Sequence, residues 1–133
     1  MRLQELAQAL DLEVLTLDRD QYDDGRGDRG DDTRSNLGAG PDITHAYASD
    51  LMSDVLANAP MGAILVTLQV HLNVIAVAGH AGLRAVIFAC GRRPDEDVIE
   101  KAAEEGLSLY LSRADTFNIA GRLYELGLRG ASE

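Results

Sequence analysis

The chain has no tryptophan, one cysteine, three prolines and, across 133 residues, two phenylalanines and four tyrosines. A lone Cys90 excludes an intrachain disulfide and fits a reducing compartment. Scarce aromatics leave the core to Leu, Val, Ile and Ala. No apolar run approaches the roughly 18 residues that a membrane helix needs. The opening MRLQELAQALDLEVL alternates polar and apolar residues at helical spacing and lacks the apolar stretch of a signal peptide. Positive charge is also scarce: 12 Lys and Arg stand against 22 Asp and Glu, a formal net charge of −10. Such acidity repels phosphate backbones and anionic bilayers, so neither nucleic acid nor membrane is an expected partner. P-loop, G-x-G-x-x-G and zinc-ligand spacings do not occur. The expectation is a soluble cytoplasmic protein with no cofactor and no metal.

A hydrophobic share of 46% over 133 residues suffices for one core, so residues 1–133 are read as a single domain. Leu3, Leu6, Ala7 and Leu10 recur at i, i+3, i+4 and i+7, the stripe of a short amphipathic helix. Glu13 to Leu17 reads as a strand. Residues 18–42 then hold eight Asp, five Gly and four Arg, with only Tyr22, Leu37 and Ala39 apolar. That composition buries too little to offset ordering entropy and predicts a flexible Asp/Gly/Arg-rich insert. Its DRDQYDDG run has no glycine at the sixth place of an EF-hand loop, and Arg26-Gly27-Asp28 is what such a composition produces by chance.

ITHAYA (43–48) reads as a short strand. Ser49 is placed to cap a helix over SDLMSDVLANA, with Asp50 at its positive end and Leu51, Met52, Val55 and Leu56 as its buried stripe. Asn58 and Pro60 end it. Three strand-and-helix repeats follow. GAILVTL (62–68) precedes a helix over 71–79. RAVIFAC (84–90) precedes one from Pro94 to Glu105, closed by Gly106, with Pro94 at the first helical position. LSLYLS (107–112) precedes one from Thr116 to Leu126, closed by Gly127. Continuous apolar strands alternating with helices predict an α/β fold, two or three layers built on a mostly parallel sheet of four to five strands.

Ligands of open parallel sheets bind outside the carboxyl ends of the strands. Those ends here carry Thr67, Gln69, His71 and Asn73, then Gly91, Arg92 and Arg93, then Ser112 and Arg113. Three arginines from two loops, with helix N-termini aimed the same way, make a candidate pocket for a small anion such as a nucleotide or phosphometabolite. The competing reading pairs Arg92 and Arg93 with Asp95 and Asp97 as solvated loop residues. His71 and Cys90 are the weaker basis for a small enzyme, because no third ligand or base accompanies them. Asp50 and Asp54 lie four apart and so share a helical face that suits Mg²⁺, though a helix-start role for Asp50 is favoured. His80 reads as a turn residue.

The helix 71–79, HLNVIAVAG, is apolar nearly all round, the pattern of a helix buried on both sides. A homodimer interface is the favoured explanation; burial by other elements of the same chain is the alternative.

The segments YASDLMSDVLANAP, GAILVTLQVHLNVIAVA, AVIFACGRRPDEDVIEKAAEEGLSLYLS and TFNIAGRLYELGL together resemble the DRTGG domain. The resemblance covers residues 1–17 and 43–128. Such domains accompany CBS domains in regulated inorganic pyrophosphatases and occur in phosphate acetyltransferases. The N-terminal domain of HPr kinase is similar to them. The resemblance implies a regulatory or assembly role beside a partner enzyme or signalling protein, not catalysis. Departures fall on the eponymous residues: Gln69-Val70-His71 stands where the family carries Asp-Arg, and Ala89-Cys90-Gly91 where it carries Thr-Gly-Gly. A pure interaction subunit that binds no ligand is the remaining alternative.

Overall fold

Ile64, Leu65, Val66 and Thr67 are all buried, which an extended strand achieves only if helices cover both faces of its sheet. The computed structural model of the chain describes residues 1–16 and 42–131, so the predicted insert lies outside the described residues save for Asp42. The elements run α1 (Leu3–Ala9), β1 (Glu13–Val14), β2 (Ala46–Ala48), α2 (Met52–Asn58), β3 (Ile64–Thr67), α3 (Asn73–Ala81), β4 (Ala85–Phe88), α4 (Glu96–Glu105), β5 (Ser108–Leu111) and α5 (Thr116–Glu125). The five strands form one sheet in the order β1-β5-β4-β3-β2. β2 to β5 are parallel neighbours, and β1 pairs with β5 antiparallel.

Alternation along each strand splits the core in two. Leu65, Val86, Phe88, Leu109 and Leu111 meet Val55 of α2, Val74 and Ala78 of α3, and Val98 and Ala102 of α4. Ile64, Val66, Ala85, Ile87 and Tyr110 meet Leu6 of α1 and Ile119 and Leu123 of α5 on the opposite face. The result is a three-layer α/β sandwich, as the apolar pattern predicts.

Local details differ from the sequence reading. α2 begins at Met52 with Leu51 as its N-cap, because the Ser49 hydroxyl accepts from the Leu51 N–H at 3.2 Å in a tight turn instead of capping the helix. Asp50 is thereby removed from the helix start. Leu51 and Leu56 are 64% and 50% exposed, so Val55 and the partly buried Met52 carry the stripe. α3 runs Asn73–Ala81, which puts His80 inside its last turn rather than in a loop. It ends at Gly82, which is left-handed (φ 71°), and a Cβ there would crowd the Met61 side chain at 3.0 Å, so glycine is favoured. Nor is α3 buried all round: Val74, Ile75, Val77 and Ala78 face the core, while Leu72, Ala76, Gly79 and His80 are exposed. α4 starts at Glu96 behind the N-cap Asp95, so Pro94 precedes the cap.

Candidate functional site

The carboxyl ends of β2, β3, β4 and β5 lie side by side, and backbone hydrogen bonds weld their outgoing loops together. Ala89 N–H donates to the Thr67 carbonyl at 3.0 Å. Ser112 N–H donates to the Phe88 carbonyl at 2.9 Å, Gly91 N–H to the Ser112 carbonyl at 2.7 Å, and Cys90 N–H to the Ala114 carbonyl at 2.8 Å. The first two continue the parallel ladder one step beyond the strands, and the last two tie the turn after β4 to the loop after β5, so these loops start from fixed positions.

Asp50, just past β2, is the acid that ties this edge together. Its Oδ1 accepts from the Thr67 hydroxyl at 3.1 Å and from the Leu68 N–H at 2.7 Å. The same Thr67 oxygen accepts from the Gln69 N–H at 3.1 Å. Thr67 itself is fully buried, so its hydroxyl needs those partners. The Leu68 carbonyl in turn accepts from Arg92 Nε at 2.7 Å. Asp50, Thr67, Leu68 and Arg92 thus form one connected set spanning the ends of β2, β3 and β4. Sequence reasoning missed Asp50 here, because its partners are 17 and 18 residues away and become neighbours only through the β2–β3 register.

The turn after β4 is strained. Cys90 (φ 59°) and Gly91 (φ 68°) are both left-handed, and Arg92 N–H closes the turn on the Ala89 carbonyl at 3.1 Å. Glycine adopts that backbone freely; cysteine does not. Cys90 is an exposed free thiol.

Of the other predicted site residues, Ser112 is buried, and its hydroxyl accepts from the Ala114 N–H at 3.1 Å. Arg93 turns to β1, where it meets Glu13 at 2.7 Å with both side chains about half exposed. Arg92 and Arg93 therefore bond Leu68 and Glu13, not Asp95 and Asp97. The reason is that the loop leaves β4 towards β3 on one side and β5 and β1 on the other. Arg113 lines a concavity of about 280 Å³ with Leu10, Asp11, Glu13, Leu111 and Ser112. Gln69 is partly buried, whereas His71 and Asn73 are exposed at the entry to α3, and their side chains make no hydrogen bond among the described residues. Asp54 is separated from Asp50. It accepts the Tyr47 hydroxyl at 2.9 Å and the Asn58 amide at 2.9 Å. The Asn58 amide, with Ser49 and Tyr47, holds the Asp54 carboxyl below its ordinary value, and the Asp54 hydrogen bond lifts the Tyr47 hydroxyl above its own. Among the described residues no group of three or more His, Cys, Asp or Glu is disposed to hold a metal ion. Among the same residues, no helix is long and apolar enough to cross a membrane.

These features define a three-layer α/β domain with a hydrogen-bonded rim at the carboxyl edge of its sheet. No family model matches the sequence, and no curated protein matches it either. The fold is similar to a crystal structure of the CBS and DRTGG domains of the regulatory region of Clostridium perfringens pyrophosphatase, complexed with activator, diadenosine tetraphosphate. The TM-score is 0.63 at 13% identity, over 91% of this chain and 45% of that one. At that identity the likeness is one of fold, and the chain spans less than half the length of the protein it matches.

Proposed function

We propose that this chain is a DRTGG-like regulatory module without catalysis of its own, which senses a small anionic ligand at the carboxyl edge of its sheet. A nucleotide or phosphometabolite is the ligand class. The observation that carries the reading is the fixed position of Arg92. Its Nε is held by the Leu68 carbonyl, and its other donors make no hydrogen bond among the described residues. A guanidinium anchored by one nitrogen presents a preorganised fork to a phosphate or carboxylate. In this proposal Gln69, His71, Asn73 and Arg113 supply further polar contacts. Thr67, Gly91 and Ser112 shape the loops, and Arg93 is engaged by Glu13. The fold's likeness to a regulatory region crystallised with a nucleotide activator agrees with this class of ligand. The exposed face of α3 would join two copies, and the module would act on a partner enzyme or signalling protein.

Thermal shift against a panel of mononucleotides, dinucleoside polyphosphates and sugar phosphates tests the sensing role. A ligand at a hundred times its Kd adds about 2.7 kcal/mol of stability, a readily measured rise in Tm. Arg92→Ala and Arg113→Ala should each remove the shift. A panel that leaves Tm unchanged throughout would reject the ligand and leave the interaction-subunit reading, which the exposed Leu72 and Ala76 of α3 support.

A further inference from the structure

The geometry points to a second surface: the open half of the β2 edge, together with the flank of α5 above it, is a docking groove for an extended peptide segment of a partner protein that carries a carboxylate. Among the described residues, β2 is the outermost strand on its side of the sheet. The His45 carbonyl accepts from Ile64 N–H and Ser49 N–H donates to the Val66 carbonyl, both at 3.1 Å, so odd-numbered residues face β3 and even-numbered ones face outward. The chain itself already adds one residue to this outer edge in strand fashion. Arg129 N–H donates to the Thr44 carbonyl at 3.1 Å, and the Arg129 carbonyl accepts from Ala46 N–H at 3.0 Å. Beyond that step the Ala46 carbonyl and both backbone groups of Ala48 have no partner among the described residues. The opposite edge, β1, is only two residues long and has Glu13 on it, bonded to Arg93, so it is blunted. The residues of β2 itself, Ala46-Tyr47-Ala48, include neither a charged side chain nor proline.

Above the open edge lies an apolar groove of about 170 Å³ between β2 and α5, lined by Ala46, Ala48, Ala120, Leu123, Tyr124 and Arg129 among others. Phe117 and Tyr124, seven residues apart on α5, are 83% and 60% exposed, with Ala120 between them on the same flank. The chain spends two of its few aromatic side chains on this exposed flank. Edge strand, groove and helix flank together are the arrangement by which strand addition recognises peptides: main-chain bonds give affinity and alternate side chains enter the groove.

Charge selects the occupant. Among the described residues, Arg129 is the one charged residue lining the groove. Its guanidinium stacks on the Tyr124 ring at 3.7 Å, and its Nη1 donates to the Tyr124 and Leu128 carbonyls at 3.0 and 2.8 Å. A cation fixed in place beside the groove is a local counter-charge for a carboxylate. A second copy fits less well, since pairing two β2 edges would bring the Arg129 segment of each copy to the seam, two like charges where a peptide carboxylate supplies the opposite one.

Selection of random linear peptides on the purified full chain, followed by titration of the enriched peptide, tests this. The expected peptide alternates apolar residues and carries one carboxylate, and its binding shifts the backbone amides of Ala46, Ala48 and residues 120–124 in NMR. Ala48→Pro should weaken binding about tenfold, and amidating the peptide carboxylate should do the same. Ala48→Pro should leave Tm unchanged, because proline is tolerated where an edge N–H faces outward. Ala120→Glu, which fills the groove, is the second variant and should also weaken binding. The proposal is overturned by selection that enriches no peptide, by amide shifts confined to other surfaces, or by binding indifferent to the carboxylate. It is equally overturned by self-association that Ala48→Pro abolishes, which would assign the edge to a second copy.

Discussion

The carboxylate of Asp50 accepts the hydroxyl of Thr67 at 3.1 Å, joining the end of β2 to the last residue of β3. Thr67 is fully exposed to the consequences of losing that partner, because it has no contact with solvent. Asp50→Ala would leave a buried hydroxyl with one partner fewer and the Leu68 N–H with none from this residue. A buried polar group so orphaned costs about 1–3 kcal/mol. The expected result is a Tm lowered by roughly 3–12 °C in calorimetry. Asp50→Asn, which keeps an acceptor oxygen, should recover most of the loss. An Asp50→Ala variant as stable as the parent would show that the contact contributes nothing net.

Cys90 should be replaceable by glycine with a gain in stability. A left-handed non-glycine residue costs roughly 1–2 kcal/mol. Glycine's extra freedom in the unfolded chain returns roughly 0.4–1 kcal/mol of that. Cys90→Gly is therefore expected to raise the urea midpoint slightly, whereas Cys90→Val, with a branched side chain at φ 59°, should lower it. The same residue settles the enzyme alternative: iodoacetamide should alkylate Cys90 no faster than an unactivated thiol, and a markedly faster rate at neutral pH would reopen the His71–Cys90 reading.

How much of this was legible follows from which contacts are local. β3, β4 and β5 announce themselves, because a strand covered on both faces shows an unbroken apolar run such as Ile64-Leu65-Val66. Gly106 closes α4 in the left-handed conformation that the sequence implies. Where a residue has an obvious near neighbour and a better distant one, the near neighbour misleads. Asp50 looks like the acid at the start of α2 yet serves β3. Arg92 and Arg93 stand beside Asp95 and Asp97 yet reach Leu68 and Glu13, the latter 80 residues away. β1 was legible as a strand from residue 13 onward, but its antiparallel pairing with β5 was not, because its partners Tyr110 and Leu111 lie far along the chain.

The Tyr47–Asp54 contact makes stability depend on pH at both ends of the scale. Asp54 is held below its ordinary value of 3.8, chiefly by the Asn58 amide and then by Ser49 and Tyr47. The unfolded chain thus binds the proton first as pH falls, so the contribution is present above pH 3.8 and is lost through the lower folded pKa. Tyr47 is raised above 10.0, chiefly by its hydrogen bond to Asp54, so the unfolded chain loses its proton first as pH rises, and stability declines above that value. Urea midpoints for Asp54→Asn should vary less with pH than those of the parent below pH 3.8 and above pH 10.0. Parallel curves for the two proteins would remove this pair from the titration.

The exposed side of α3 supplies the test of assembly. Leu72 is 48% exposed and neighbours Ala76 and Gly79, with His80, Lys101 and Glu105, around a concavity of about 440 Å³ between α3 and α4. Small residues on a helix face allow a second helix to approach closely, and the apolar area would be removed from water in a symmetric pair. Light scattering coupled to gel filtration should give twice the chain mass of 14.3 kDa for the parent. Ala76→Glu should give the single-chain mass with Tm measured at low concentration unchanged, since residue 76 faces solvent in the monomer. Placing a carboxylate there forces a charge into each half of the proposed interface, where it has no partner and costs several kcal/mol. If the parent already runs at the mass of one chain at high concentration, α3 is not a self-association surface, and its apolar face is left for a different protein.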